Sequence, residues 1–577
     1  METKACKQCG TSYSFTEQDT EFYNKISPTI NWVKQNIPSP SLCPDCRQQR
    51  RLSWINQRKL YRGTCAFSNK PILSIYSPES GYKIYDYKVW WSDQWSPLDY
   101  GQNFDFSKPF FQQFEELMKE VPYPNLSIIN SENSEFNHNI ADCKNCYMCF
   151  GNNNLENTYY ASESMYSSNS SDIWWSGKIE NSYEMSSCAN MYKCYYCYNS
   201  DSCSDSIFLQ NCSWCNNCIM CFGLQNAKYY IKNKQYSKEE FEKKKQEMNL
   251  WNYNNLQAYI TDFHNFLLTQ AHKCTTIVNS ENCNGDYIFD SNNCENSFNI
   301  VGVKNSKNLY EWWRVSNVQD ATFVYDDEWY ILECTGVFGN SFHILFSEYV
   351  FNSSSNLIYC SNMSNSKNCF WCVGLRDQEY CILNKQYSKD DYKKIVSKII
   401  DYMKTTWEWG EFLPISTSRF AYNETAAQEY YPLDWNWANE AINFIENKWI
   451  KYKWLNKDYP VNIPPTMPTI NANELIVDIK DLSEEYEKQL LNSAIICEAS
   501  KKPFRFTKSE LDFYKKLNIS LPRKSHDVRH MERMKLRNPR KLYDRKCDKC
   551  EIDMKTTYAP DREEIVYCKA CYEKKTY

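Results

Sequence analysis

Glycine is scarce in this chain, with 13 residues in 577, and histidine is scarcer, with six. There is no GxGxxG and no GxxxxGK[ST] stretch, so the usual backbone cradles for a nucleotide cofactor are missing. No run of about 18 apolar residues occurs, so no segment reads as membrane-spanning. The opening METKACKQCG lacks the apolar centre of a secretory signal. A cytoplasmic setting is therefore expected, where thiols stay reduced and paired CxxC motifs favour metal over disulfides. His138, His264, His272, His343, His526 and His530 are scattered, none of them within HExxH. No acid pair or Cys–His pair is brought together by spacing, so no catalytic centre is legible and a non-enzymatic protein is expected. A net charge of -5 with 24% charged residues favours no partner class.

What the chain has in quantity is cysteine, 29 residues, and tyrosine, 45. Eleven cysteines between Asn139 and Gln225 fall on a twelve-residue grid. Asn145, Asn157, Asn169, Asn181, Lys193, Asp205 and Asn217 share one column. Cys146, Thr158, Ser170, Ser182, Cys194, Ser206 and Cys218 share the next, and Cys149, Ala161, Ile173, Met185, Cys197, Leu209 and Cys221 lie three further on. A fixed period without insertions marks a solenoid, in which each coil buries its face only against its neighbours. Slim side chains at every third position suit the narrow interior of such a coil. The pattern resembles the twelve-residue β-solenoid of beetle antifreeze proteins, although their outward threonine ladder is replaced here by Tyr147, Tyr159, Tyr183 and Tyr195.

The grid is duplicated. GLQNAKYYIKNKQYSKEEF at Gly223 returns as GLRDQEYCILNKQYSKDDY at Gly374, 151 residues later, and NSEN at Asn130 returns at Asn279. Each copy ends in a helix opened by a capping box, Ser237 with Glu240 and Ser388 with Asp391. In the second copy the register fails around 332 to 348, and Trp312 would land inward. Most first-copy cysteines are replaced there, which favours small core residues over a metal cluster. Two other readings stay open for the ladder. Cys212, Cys215, Cys218 and Cys221 spell an iron–sulfur-like CxxCxxCxxC, and thiols six apart face across one coil, where oxidation would staple them.

The two ends of the chain are also related. Cys6-x-x-Cys9 and Cys43-x-x-Cys46 are two hooks that together complete a tetrahedral zinc site, with a short helix expected in the intervening FTEQDTEFYNKI. Phe15-Thr16 and Phe22-Tyr23 return as Phe506-Thr507 and Phe513-Tyr514, and Lys59-Leu60-Tyr61 as Lys541-Leu542-Tyr543. On this alignment the ancestral module carried two sites. The N-terminal copy keeps the first, while its second has decayed to Cys65, Ser68, Asp86 and Val89. In the C-terminal copy the first has decayed to Cys497, Ser500, Ser525 and Val528, with His526 and His530 as possible substitutes. Its second, Cys547, Cys550, Cys568 and Cys571, is complete, so two Zn²⁺ are expected per chain.

CPDCRQQRRLSW, WWSDQWSPLDYG, the NSEN-to-Cys ladder and KLRNPRKLYDRKCDKC resemble a cysteine-rich zinc-ribbon family abundant in candidate-phyla-radiation (Patescibacteria) bacteria. That resemblance implies zinc-ribbon modules in a cytosolic bacterial protein and implies no activity.

The expected architecture is multi-domain and mainly β: two tandem narrow β-solenoids with helical caps, flanked by zinc-ribbon-like modules. Residues 1–100 form the first module, 101–137 a helix and linker, 138–236 the first solenoid and 237–262 its capping helix. Residues 263–387 form the second solenoid, 388–490 a capping helix, connector and proline-rich linker, and 491–577 the last module. A helix is expected at Phe106–Val121, capped by Ser107 and docked on the start of the first solenoid, and another in WANEAINFIENKW. The leading functional reading is binding of nucleic acid, structured RNA in particular, through basic segments beside the zinc hooks. Those segments hold Arg47, Arg50, Arg51, Arg58, Lys59 and Arg62 with Trp54, and Arg529, Arg533, Lys535, Arg537, Arg540 and Lys541. The alternative is a protein-interaction scaffold using the solenoid faces, with a cysteine-dependent enzyme third.

Overall fold

The computed structural model describes residues 2–56, 58–325, 329–433, 442–447, 450–457, 459 and 463–576. Strands dominate, and they stack in parallel. In the first stack His138 pairs with Phe150, Ser171 with Tyr183 and Ile207 with Ile219, so each strand meets the one twelve residues on. Strands Met165–Ser168, Gly177–Glu180 and Ala189–Tyr192 lie in one ladder, while the intervening Ser171–Trp174, Tyr183–Ser186 and Tyr195–Tyr198 lie in another. The chain therefore alternates between two faces, and the period seen in the sequence is the register of the ladders.

A three-residue pattern lies beneath the twelve. From Asn139 to Tyr229 a positive φ recurs every third residue with few gaps, as at Asn145, Met148, Gly151, Asn154 and Asn157. Asparagine tolerates this left-handed conformation better than other chiral residues, which explains its column. The residue after each such corner points inward, which is where Cys146, Cys149, Thr158 and Ala161 are buried. Slim donors suit that interior for a second reason: their side chains bond to backbone. The Cys149 thiol donates to the Thr158 carbonyl of the next turn at 3.4 Å, and Ser206 Oγ accepts from the Cys218 N–H at 3.0 Å.

The second stack explains the failed register. Ile277 pairs with Ile288, eleven residues on, and Gly285 with Ser297, twelve on. Ser316 then pairs with Trp329, Trp329 with Phe342 and Phe342 with Ser355, each thirteen on, before Ser355 returns to twelve with Lys367. One extra residue per turn for three turns moves the alignment of the copies from 148, as between Asp172 and Asp320, to the 151 seen at Gly374. Two of the extra residues are absorbed by paired left-handed corners, Gly339–Asn340 and Asn352–Ser353. The side chain of Trp312 lies outside the described residues.

Helices cover the stack ends. Lys238–Met248, with the expected capping box, and Tyr253–Leu268 pack around Ile207, Phe208, Ile219 and Met220 of the first stack. Lys389–Thr405 closes the second, its Ser388 hydroxyl accepting from the Asp391 N–H. The expected helix after the N-terminal module runs from Phe110 to Glu120 but departs from expectation twice. Pro109 occupies its cap position, and the Glu408 carboxylate, not Ser107, accepts the N–H groups of Phe110 and Phe111 at 3.0 and 2.9 Å. It docks on the far end of the second stack, where Phe110 stacks flat on Trp371 at 3.5 Å. The helix expected in WANEAINFIENKW is also corrected: Ile442–Asn447 is a strand, paired antiparallel with Ile450–Leu455, while 437–441 lie outside the described residues. No described helix is long and apolar enough to cross a membrane.

Candidate metal centres and the helices beside them

Four hooks in the chain share one turn. In each, the first cysteine N–H donates to a carbonyl five residues on, and the N–H four residues on donates back to that cysteine's carbonyl. The pairs are Cys6 with Thr11 and Gly10, Cys65 with Lys70 and Asn69, Cys497 with Lys502 and Lys501, and Cys547 with Ile552 and Glu551. Gly10, Asn69, Lys501 and Glu551 all take positive φ, because the reversal that aims both side chains one way requires it. Each hook faces the start of a helix: Cys43 before Pro44–Leu52, Asp86 before Tyr87–Trp90, Ser525 before His526–Leu536 and Cys568 before Lys569–Thr576. The expected label is refined by this geometry. The second ligand pair of the N-terminal site sits at a helix N-terminus, which is the arrangement of a treble clef and not of two hairpin hooks.

Two of the four places hold a full ligand set. Within each of the groups Cys6, Cys9, Cys43, Cys46 and Cys547, Cys550, Cys568, Cys571, the sulfurs lie within 4.8 Å of one another. Cys9 and Cys43 Sγ are 3.7 Å apart, as are Cys550 and Cys568 Sγ. Tetrahedral Zn²⁺ with Zn–S of about 2.3 Å sets its ligands about 3.8 Å apart, so both sets fit zinc. The Cys46 thiol, hydrogen-bonding to Cys43, pulls the Cys43 thiol down to about 5 against the opposing effect of burial. At Cys547 burial is outweighed by N–H groups led by that of Cys568, which bring the thiol to about 6. The Cys43–Cys46 hydrogen bond pushes the Cys46 thiol up, and hydrogen bonding to Cys550 pushes Cys571 up, so in each set one thiol is held toward the thiolate at its neighbour's expense.

The other two places keep the turn without the ligands. Cys65 Sγ accepts from the N–H groups of Ser68 and Asp86, at 3.5 and 3.3 Å. Cys497 Sγ accepts from Ser500 and Ser525, at 3.4 and 3.3 Å. His526 and His530 do not rescue Cys497: His526 stacks on Tyr160 at 4.9 Å, and His530 faces Glu429 at 3.8 Å. Among the described residues only the two four-cysteine groups converge as candidate metal sites. No disulfide joins the ladder cysteines, and Cys212, Cys215, Cys218 and Cys221 do not form a converging ligand group among the described residues.

Most arginines of the basic segments are buried. Arg51 and Trp54 are 0% exposed, Arg47 4% and Arg50 7%. Helix Pro44–Leu52 lies on the second stack, where Arg47 pairs with Asp320 at 2.9 Å and Glu333 at 3.2 Å. Arg51 pairs with Glu333 at 3.0 Å, and Arg50 with Glu411 at 3.0 Å. Trp54 packs edge-on against Phe412 and is not available to stack a base. Helix His526–Leu536 repeats the arrangement on the first stack. Arg529 pairs with Asp172 at 2.9 Å, and Arg533 with Asp172 at 2.9 Å and Glu184 at 2.6 Å. Arg537 and Arg540 lie over the Tyr430 ring at 3.7 and 3.9 Å, and Arg540 also pairs with Glu311. Arg58 is half-buried and donates to Ser162 Oγ at 2.8 Å. Lys59, Arg62, Lys535 and Lys541 remain exposed. The expected basic surface is thus mostly an internal seam. Arg47, Arg50 and Arg51 lie one, four and five residues beyond Cys46, and Arg529 and Arg533 one and five beyond Val528 of the decayed place, so a fixed turn aims each across the seam; burial there without a counter-charge would be prohibitive.

The helix docking is crossed: helix Pro44–Leu52 of the N-terminal module sits on the second stack and helix His526–Leu536 of the C-terminal module on the first. Its anchors, Asp172, Glu184, Asp320 and Glu333, were not singled out in the sequence. All four occupy left-handed corners, one stack turn apart within each pair. Two acids in an otherwise apolar and aromatic corner column of the first stack (Met148, Tyr160, Tyr196, Phe208, Met220), combined with the repeated Arg-x-x-x-Arg, were the available signal.

Residues 2–53 match a family model described as a probable treble clef domain. No curated protein matches the chain.

Proposed function

We propose that the protein is a non-catalytic, zinc-stabilised interaction scaffold built on two tandem β-solenoids. The solenoid reading is supported by the parallel offset, which stays within eleven to thirteen residues, and by strands that alternate between two faces. The treble-clef module and its C-terminal counterpart act as clamps that fix the stacks relative to the rest of the chain. The observation that carries this reading is the burial of Arg47, Arg50, Arg51, Arg529 and Arg533 in ion pairs with stack acids. Side chains committed to internal counter-charges release no counterions from a phosphate backbone, which is the main source of nucleic-acid affinity. Extended solenoid faces, in contrast, offer a large rigid surface at low ordering cost.

The test is to isolate the native protein at low salt and quantify what travels with it. A polypeptide near one-to-one, with little RNA, is expected. RNA at one-to-one that salt removes would return the nucleic-acid reading to first place.

A further inference from the structure

Between the first stack and helix Lys508–Leu517 of the C-terminal module lies an open cleft of about 620 Å³. That is within the ~300–1,000 Å³ of sites that hold small organic ligands. Its floor is a ladder of asparagines, Asn133, Asn145, Asn157 and Asn169, one per turn. Each amide N–H₂ donates to the next carbonyl oxygen at 3.0, 3.0 and 3.3 Å. Each rung thereby keeps one N–H and one oxygen lone pair unused by the ladder. Phe136 and Tyr147 stand on the wall with ring centres 5.5 Å apart, and Phe136 is 50% exposed. Tyr159 and Phe513 lie deeper. Glu135, Asp512 and Lys516 also line the cleft, so its charges nearly cancel.

The internal duplicate separates what builds the fold from what shapes this cleft. The second stack keeps the ladder, with Asn282, Asn293 and Asn305 joined at 3.1 and 3.1 Å. The ladder alone is therefore structural, asparagine suiting the left-handed corner. The aromatics are not kept. At the offset of 148 that relates Asp172 to Asp320, Tyr147 and Tyr159 become Glu295 and Lys307. Lys307 then bridges the corresponding seam, pairing with Asp19 at 2.9 Å and Glu295 at 3.0 Å. One seam is closed by ions; the other is left open and lined with rings.

We infer that the open cleft is a binding site for a neutral oligosaccharide. Aromatic faces take up the apolar C–H faces of pyranose rings, and amides with a spare donor and acceptor suit neighbouring hydroxyls. Successive rungs are about 4.8 Å apart, the spacing of hydrogen-bonded strands. A linear chain of pyranose rings advances by a similar distance per ring, so consecutive rings meet consecutive rungs. A strongly charged ligand finds no matching field here. Such a site operates whether or not the stacks also hold a protein partner.

The experiment is calorimetric titration of the full zinc-loaded chain with cellohexaose, chitohexaose and maltohexaose. Saturable binding of at least one is expected. Phe136→Ala removes a half-exposed ring, and its fold is checked by an unchanged thermal transition. It should weaken binding by about tenfold, equivalent to ~1.4 kcal/mol. Ser509→Trp, at an exposed helix position facing the cleft, should abolish binding by filling it. Failure of all three sugars at millimolar concentration would overturn the inference, as would binding that both variants leave unchanged. Binding of extended polypeptide, but no sugar, at the same residues would overturn it equally.

Discussion

Asp172 is the sharpest point at which to test the clamp. It is fully buried at a corner of the first stack, with Arg529 Nη2 and Arg533 Nη1 each at 2.9 Å. In Asp172→Ala the two guanidiniums fare differently. Arg533 keeps Glu184 at 2.6 Å, whereas the nearest remaining carboxylate to Arg529 is Glu184 at 3.9 Å. Breaking a buried pair from one side costs about 3–5 kcal/mol, because the other charge stays buried without compensation. The partial rescue of Arg533 places Asp172→Ala near the lower end, about 3 kcal/mol. Apart from a smaller cost of placing alanine at a left-handed corner, the cost should fall on the seam, since the backbone ladder of the stack does not involve this carboxylate. Hydrogen exchange followed by mass spectrometry should therefore show helix His526–Leu536 opening roughly a hundredfold more often, with Tyr183–Ser186 unchanged. Arg529→Met in the same background should recover a large part of the loss, since it removes the stranded charge. A loss below about 1 kcal/mol, with no selective opening of the helix, would refute the reasoning.

Elemental analysis should find two zinc ions per chain and no stoichiometric iron, and Cys46→Ala or Cys550→Ala should each release one zinc and loosen only its own module. Cys218→Ala should lower stability by about 1 kcal/mol without loss of metal, and thiol counting on denatured anaerobic protein should find every ladder cysteine free. Burial raises the Glu510 carboxyl to about 7, where it accepts from the Tyr160 and Tyr514 hydroxyls at 3.0 and 3.1 Å. A raised acid binds its proton more tightly when folded, so its contribution is complete below about pH 4.5 and fades as pH rises through 7. The stability of wild type relative to Glu510→Gln should fall across that window, and a difference that is flat or rises with pH would contradict the assignment.

Much of this architecture was legible because it repeats. The twelve-residue grid is the register of the parallel ladders, and both metal sets follow from paired CxxC spacing. The extra residue in three turns of the second stack was visible only as a lost register, since a corner absorbs one insertion while the strands on either side keep pairing. The strand at Ile442–Asn447 was misread because a short apolar run with helical spacing does not reveal a hairpin partner. The burial of most of the arginines in the basic segments was not foreseen, for a different reason. A run of arginines is equally suited to solvent, phosphate or buried carboxylates, and the choice depends on acids 273 residues away, as between Arg47 and Asp320. The crossed docking was illegible for the same reason: modules and stacks are each local patterns, but their pairing is not.

The central claim, that the arginines of helices Pro44–Leu52 and His526–Leu536 are internal clamps, is open to one direct measurement. The native zinc-loaded chain is treated with an arginine-selective dicarbonyl reagent, and modification is followed at each site by peptide mass spectrometry. Arg62, on the surface, should react quickly, while Arg47, Arg50, Arg51, Arg529 and Arg533 should stay protected until the protein unfolds. Reaction of those five at the rate of Arg62 in the folded protein would contradict the account.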